Sequence, residues 1–143
     1  MKKILLPVDG SDSALSAVKH VIKHAENKGE LDVTVLYVHF TPVRFGSVSP
    51  ELEPGEFAKI EKEDAAPALA EAEKLLREAG ISFKREVRAS REPAVTIAKM
   101  ADELGCDSIV MGKHGGGALS KLMVGSTAKK VAHLADTPVV LVK

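Results

Sequence analysis

Ile4-Leu5-Leu6-Pro7-Val8 is apolar at every position, and Asp9-Gly10-Ser11 follows it directly. A half-buried strand alternates apolar and polar residues, whereas a run apolar at every step suits a strand buried on both faces, as in a parallel sheet. The turn residues end that strand, and Ser11 or Asp12 can cap a following helix. The helix shows in the stripe Ala14, Leu15, Val18, Val21, Ile22 and Ala25, with Gly29 as its expected stop.

The same rhythm continues along the chain. Val33-Thr34-Val35-Leu36-Tyr37-Val38 reads as a second buried strand. Between Thr41 and Gly55 periodicity fails at Pro42, Gly46, Pro50, Pro54 and Gly55, which predicts a long loop. A helix resumes with Phe57 and Ile60 and runs through Leu69, Ala72, Leu75, Leu76 and Ala79 to Gly80. Pro67 lies inside it, so either the helix kinks there or it begins near that residue. Ile81 to Val87 alternates but carries Lys84, Arg85 and Glu86, a pattern suited to a sheet edge. Pro93 opens a helix with Val95, Ile97, Ala98, Ala101 and Leu104 inward and Gly105 as its stop. Ser108-Ile109-Val110-Met111 is a further buried strand, followed by a helix from about Ser126 to Ala135 and a closing strand from Pro138 to Val142. Strands separated by helices run parallel with right-handed crossovers, so the expected fold is α/β: a Rossmann-like, doubly wound open parallel sheet of five strands with helices on both faces.

Composition agrees with one globular domain spanning residues 1–143. Hydrophobic residues make up 45% and charged residues 28%, which argues against wholesale disorder. Twenty basic residues balance 20 acidic ones, so a broad basic field for nucleic acid or an anionic membrane is not expected. No apolar run approaches the roughly 18 residues of a spanning helix, and Pro7, Asp9 and Gly10 arrive too early for a secretory leader. Cys106 is the sole cysteine and cannot form an internal disulfide, so the expected location is the reducing cytoplasm. With no tryptophan and one tyrosine, a stacking platform for single-stranded nucleic acid is not expected either.

In an open parallel sheet, ligands bind outside the carboxyl ends of the strands where the winding reverses. Asp9, Val38 with His39, and Gly112 all fall at such ends. Gly112-Lys113-His114-Gly115-Gly116-Gly117-Ala118-Leu119-Ser120-Lys121-Leu122-Met123-Val124-Gly125-Ser126-Thr127 joins a buried strand to a helix N-terminus. Glycines let backbone N–H groups approach an anion, and the helix start adds a favourable dipole. Ser126 and Thr127 add hydroxyl donors, and Lys113 and Lys121 add positive charge. Lys129 and Lys130 lie near the helix start, where cations are disfavoured unless an anion offsets them. Phosphate is the guest this chemistry suits; a flexible surface connection is the plainer use of the same glycines. A Walker A loop fails because Ala118 follows Gly117, and a dinucleotide fingerprint fails at Ser120.

What fits is Gly112-x2-Gly115-x9-Gly125-Ser126. With Lys3 to Ser11 at the start, Ile109 to Gly112 before the loop and Gly125 to Val142 at the end, the whole chain resembles the universal stress protein family, in its ATP-binding branch. The resemblance implies that Asp9 bonds the ribose, that Pro7 and Val8 line the pocket, and that Val38 meets the adenine edge through its backbone. It further implies that Gly112, Gly115, Gly125 and Ser126 hold phosphates with help from Thr127; Met111, His114 and Gly116 complete the candidate set. Relatives often carry a basic or bulkier polar residue at position 116, so with Gly116 the guest stays open among ATP, ADP, AMP and another adenylate. Mg²⁺ or Mn²⁺ would come with the phosphates and not sit in an all-protein cage. The family strand order, 3-2-1-4-5, leaves Val139, Val140, Leu141 and Val142 at an edge, and pairing of two such edges predicts a homodimer.

Other residues carry plainer readings. Asp9 also suits a simple helix cap. His20 and His24 are one helical turn apart, but Val21 stands where a zincin would need glutamate, so a solvated face is expected. Cys106 reads as a small core residue. The expected function is therefore binding of an adenine nucleotide in a regulatory, stress-response role, with at most slow ATP hydrolysis and no catalytic residues. Two alternatives stand beside it. An ATP pyrophosphatase-like enzyme would carry Ser-Gly-Gly-x-Asp-Ser where this chain has Val8-Asp9-Gly10-Ser11-Asp12-Ser13, and a nucleotide-free dimeric interaction module would act through its surface.

Overall fold

The computed structural model describes residues 2–25, 28–42, 52–114 and 123–143. In chain order these form β1 (Lys2–Pro7), α1 (Asp12–His24), a 3₁₀ turn (Lys28–Glu30), β2 (Leu31–Phe40), α2 (Glu56–Ile60) and a π-helical turn (Glu61–Ala65). Then come α3 (Ala66–Glu78), β3 (Phe83–Ser90), α4 (Pro93–Leu104), β4 (Ser108–Gly112), α5 (Ser126–Leu134) and β5 (Val139–Val142). The strands make one sheet, ordered β3-β2-β1-β4-β5, with every neighbouring pair parallel. This is the doubly wound architecture expected from the apolar runs.

Each face of the sheet has its own core. Ile4, Leu6, Val33 and Val35 pack on one face with Ala17, Val18 and Val21 of α1 and Leu69, Ala72 and Leu76 of α3. Leu5, Leu36, Ile109 and Met111 pack on the other with Ile97 and Ala101 of α4 and Ala128 and Val131 of α5. Neighbours along β1 point to opposite faces, which is why Ile4, Leu5 and Leu6 are all buried. Each such Leu contributes roughly 1.5–3 kcal/mol by leaving water. Among the described residues no helix is long and apolar enough to cross a membrane.

Two local expectations need correction. Helix α1 ends at His24 with Ala25 extended (ψ 112°), and Gly29 lies in the 3₁₀ turn beyond it. The edge strand begins at Phe83 and not at Ile81, because the Ile81 N–H donates to Leu76 O at 3.0 Å and its side chain is buried. Pro67 meets one of its two expectations, a helix that begins near it, since α3 starts at Ala66. It sits in the first turn of α3, directly after the π-helical turn, where the Ala66 N–H reaches back to Glu61 O. The wider π turn absorbs the hydrogen bond that a proline cannot make.

The charged edge is tied to the core at one point. Arg85 of β3 forms a two-pronged pair with Glu73 of α3, Nε to Oε2 at 2.9 Å and Nη2 to Oε1, and the Glu73 side chain is only 3% exposed. The guanidinium supplies the compensation that a buried carboxylate needs.

Candidate functional site

The winding reverses between β1 and β4, and the two strands pair only where Ile4 and Leu5 meet Ser108 and Ile109. Pro7 helps to open the crevice beyond. The Val8 N–H donates to Leu36 O at 2.8 Å on the β2 side, and successive amides alternate, so the hydrogen that Pro7 lacks would have faced β4. A cavity of about 180 Å³ occupies this opening.

Its walls come from the carboxyl ends of the strands and the first turns of the helices. Pro7, Val8 and Asp9 lie on one side, and Met111, Gly112 and His114 on the other. Leu36 and Val38 of β2 and Pro93 and Ile97 of α4 make an apolar wall, while Ala14, Thr127 and Ala128 close the helix side. The volume falls below the roughly 300–1,000 Å³ of sites that enclose drug-sized ligands. It suits the planar end of a nucleotide, with a charged tail leading outward.

Turn chemistry fixes Asp9. Its Oδ1 accepts the Ser11 N–H at 2.9 Å, and Gly10 between them has φ +88°, a left-handed conformation that favours glycine. Ser11, not Asp9, caps α1 by accepting the Ala14 N–H at 3.2 Å. Asp9 is therefore oriented by the turn while remaining exposed on the cavity wall. Tyr37 on the neighbouring strand has its pKa pushed up by burial and then by Asp64 and Asp9, so it stays a neutral phenol at ordinary pH.

Gly112 is required by packing. A Cβ there would lie 2.6 Å from the carbonyl carbon of Ser13, so the end of β4 touches α1 directly. Ser13 Oγ accepts the His114 N–H at 3.0 Å and anchors the next residues. Among the described residues the buried His114 Nδ1 has no hydrogen-bond partner, and His114 lines the cavity. The Lys113 N–H donates to Val142 O and Lys113 O accepts the Gly125 N–H, both at 2.8 Å. Gly125 is thus tied back to Lys113, and its amide is already committed. The amides of Ser126, Thr127 and Ala128 open α5 without helical acceptors; among the described residues no side chain caps them, and no acidic residue lies in that first turn.

Of the residues expected from sequence, the structure brings Pro7, Val8, Asp9, Val38, Met111, Gly112, His114 and Thr127 together around one cavity. Gly125 and Ser126 stand just before Thr127 but do not line it, and Gly115 and Gly116 lie outside the described residues. Sequence reasoning missed Ala14, Leu36, Pro93, Ile97 and Ala128. A usable signal existed: the first turn of a helix that follows a strand sits at the carboxyl end of the sheet, where Ala14, Pro93 and Ala128 lie. Among the described residues no three His, Cys, Asp or Glu side chains gather as a metal site. The His20 and His24 rings lie 4.4 Å apart, with the His20 pKa lowered by burial and then by His24 and Lys23. Cys106 is half-buried against the second core, and burial pushes its thiol up.

Comparison with known proteins agrees with this geometry. The family model described as the universal stress protein family matches residues 1–143. A universal stress protein of Methanocaldococcus jannaschii is 34% identical over 99% of this chain and 82% of its own length. A solved protein of the same archaeon superposes with a TM-score of 0.75 at 30% identity, covering 99% of this chain and 95% of that one. Two more distant structures share the fold. One is a universal stress protein in complex with cAMP (TM-score 0.68, 22% identity, 99% and 97% covered). The other is an Arabidopsis thaliana universal stress protein family protein with AMP bound (TM-score 0.69, 15% identity, 100% and 92% covered). With a doubly wound sheet, a crevice at its switch point and a family match along the entire length, this chain belongs to the universal stress protein family.

Proposed function

We propose that this chain is an adenine-nucleotide-binding protein with a regulatory, stress-response role, acting in the cytoplasm as one nucleotide-binding domain. The observation that carries the reading is the cavity between the diverging ends of β1 and β4, which joins an apolar wall to an oriented carboxylate and an uncapped helix start. The base rests among Leu36, Val38, Ile97 and Met111, and the ribose hydroxyls donate to Asp9. The phosphates lead toward the amides and hydroxyls of Ser126 and Thr127. His114 Nδ1 supplies one further polar contact. That two proteins of this fold hold cAMP or AMP supports an adenylate as the guest.

AMP, ADP and ATP share the base and sugar and differ only in the tail outside the cavity. A divalent ion, Mg²⁺ or Mn²⁺, accompanies a di- or triphosphate through the phosphate oxygens. Hydrolysis, where ATP is bound, is slow. The molecule pairs as a homodimer through the edge formed by Val139, Val140, Leu141 and Val142; Val140 is 38% exposed there and the other three are half-buried. An edge with unpaired backbone groups gains most from a second copy running antiparallel. The test is mass spectrometry of small molecules released from the purified, denatured protein, coupled to titration of the emptied protein with AMP. An adenylate in the extract or saturable binding of AMP supports the reading, and neither would overturn it.

A further inference from the structure

A second, wider groove adjoins the cavity and shares Pro93 and Thr127 with it. Its volume is about 940 Å³, far more than the tail of one mononucleotide needs. Arg91, Lys129 and Lys130 line it against one carboxylate, Glu92, a local basic excess in a chain with no net charge. Among the described residues none of those three cations is in an ion pair. The Nε of Arg91 is buried without a hydrogen-bond partner among the described residues. Lys129 and Lys130 stand near the start of α5, where the helix dipole disfavours cations. The groove also carries two of the few large hydrophobic side chains left in water, Phe40 at 58% and Leu134 at 47% exposure. Cationic side chains and an open aromatic ring lining one groove that adjoins a base-sized cavity suit one kind of ligand.

The geometry points to a dinucleoside polyphosphate as a ligand of this protein: one adenosine in the cavity, the phosphate chain past Arg91, Lys129 and Lys130, and the second base stacked on Phe40. The inference rests on the adenylate reading of the cavity and extends it. AMP leaves Phe40 in water and brings the three groove cations a single phosphate, whereas the longer ligand supplies both the further charge and the second base.

Calorimetric titration of the full chain with AMP, ATP and diadenosine tetraphosphate tests it, alongside the Phe40→Ser and Arg91→Gln variants checked for folding by thermal melting. Diadenosine tetraphosphate should bind roughly tenfold or more tighter than ATP, the scale of one base–aromatic contact. Phe40→Ser should remove that gain and leave AMP affinity unchanged, and Arg91→Gln should weaken diadenosine tetraphosphate more than AMP. Equal affinity for ATP and diadenosine tetraphosphate, or a gain that survives Phe40→Ser, overturns the groove assignment while leaving the adenylate reading intact. Absence of AMP binding overturns both.

Discussion

Ser13 and Gly112 are in direct backbone contact: a Cβ on Gly112 would fall 2.6 Å from the Ser13 carbonyl carbon, while Ser13 Oγ holds the His114 amide at 3.0 Å. One residue of α1 thus sets both the distance of β4 from the helix and the direction of the chain leaving the strand. The cavity wall at Gly112 and His114 is a product of that contact.

Gly112→Ala should therefore destabilise the fold by about 1–3 kcal/mol, the usual cost of forcing atoms into a packed contact. Urea denaturation monitored by circular dichroism measures it. AMP affinity should fall as well, because the wall must move. Gly55, whose added Cβ would meet nothing within 4 Å, fails as a control because its φ is +84°. Ser13→Ala is the better companion: it removes only the hydroxyl contact and should cost about 1 kcal/mol.

Asp9 faces the sugar in this account. Asp9→Ala should weaken AMP binding by about tenfold, the scale of one or two hydrogen bonds to a charged acceptor. The same change should leave 2′,3′-dideoxy-AMP almost unaffected, since that ligand has no hydroxyls to donate. Calorimetry with both nucleotides separates a lost sugar contact from a damaged turn.

The order of elements was legible because nearly every strand is apolar on both faces and most helices carry strong punctuation. Gly80 and Gly105 adopt positive φ where helix stops were expected, and Pro93 opens α4. Local residues decide such features, so sequence displays them. The π-helical turn, the exit of α1 at Ala25 and the diversion of Ile81 depend on what packs above each segment, which spacing alone does not encode. The cavity lining was legible from strand ends at Asp9 and Gly112, whereas Val38 lies inside β2 and came from the family resemblance. Leu36 escaped because only the register, which sets it beside Pro7, brings it to the cavity.

The Glu73–Arg85 pair should behave as a coupled buried interaction. Arg85→Ala leaves the Glu73 carboxylate unpaired in the core and should cost about 2–4 kcal/mol, the partial exposure of Arg85 keeping the loss below the extreme for buried pairs. A Glu73→Leu, Arg85→Leu double variant should recover much of that loss. Chemical denaturation of the set completes the cycle, with AMP affinity unchanged throughout because neither residue lines the cavity.

His20 gives stability a pH dependence of definite sign. Its folded pKa lies below the usual 6.5, chiefly through burial, so the neutral ring is the form the fold favours. Above pH 6.5 both states are neutral and the stability is fully present. As pH falls below that value the unfolded chain takes the proton first, and stability declines until the folded ring is protonated too. Thermal melts from pH 8 to pH 5 should fall less steeply for His20→Gln than for the parent chain.

The β5 edge predicts assembly. The parent chain should run as a dimer in light scattering at micromolar concentration, and Val140→Asp, which places a charge on the exposed position of that strand, as a monomer. AMP binding should survive, since Val140 lies away from the cavity walls.

A crystal structure grown with excess AMP reads the account most directly. It should show the base against Val38, Ile97 and Met111, a ribose hydroxyl within hydrogen-bond distance of Asp9, and the phosphate at the start of α5. The nucleotide bound elsewhere, or the crevice between β1 and β4 filled by the protein's own side chains at saturating ligand, would contradict it.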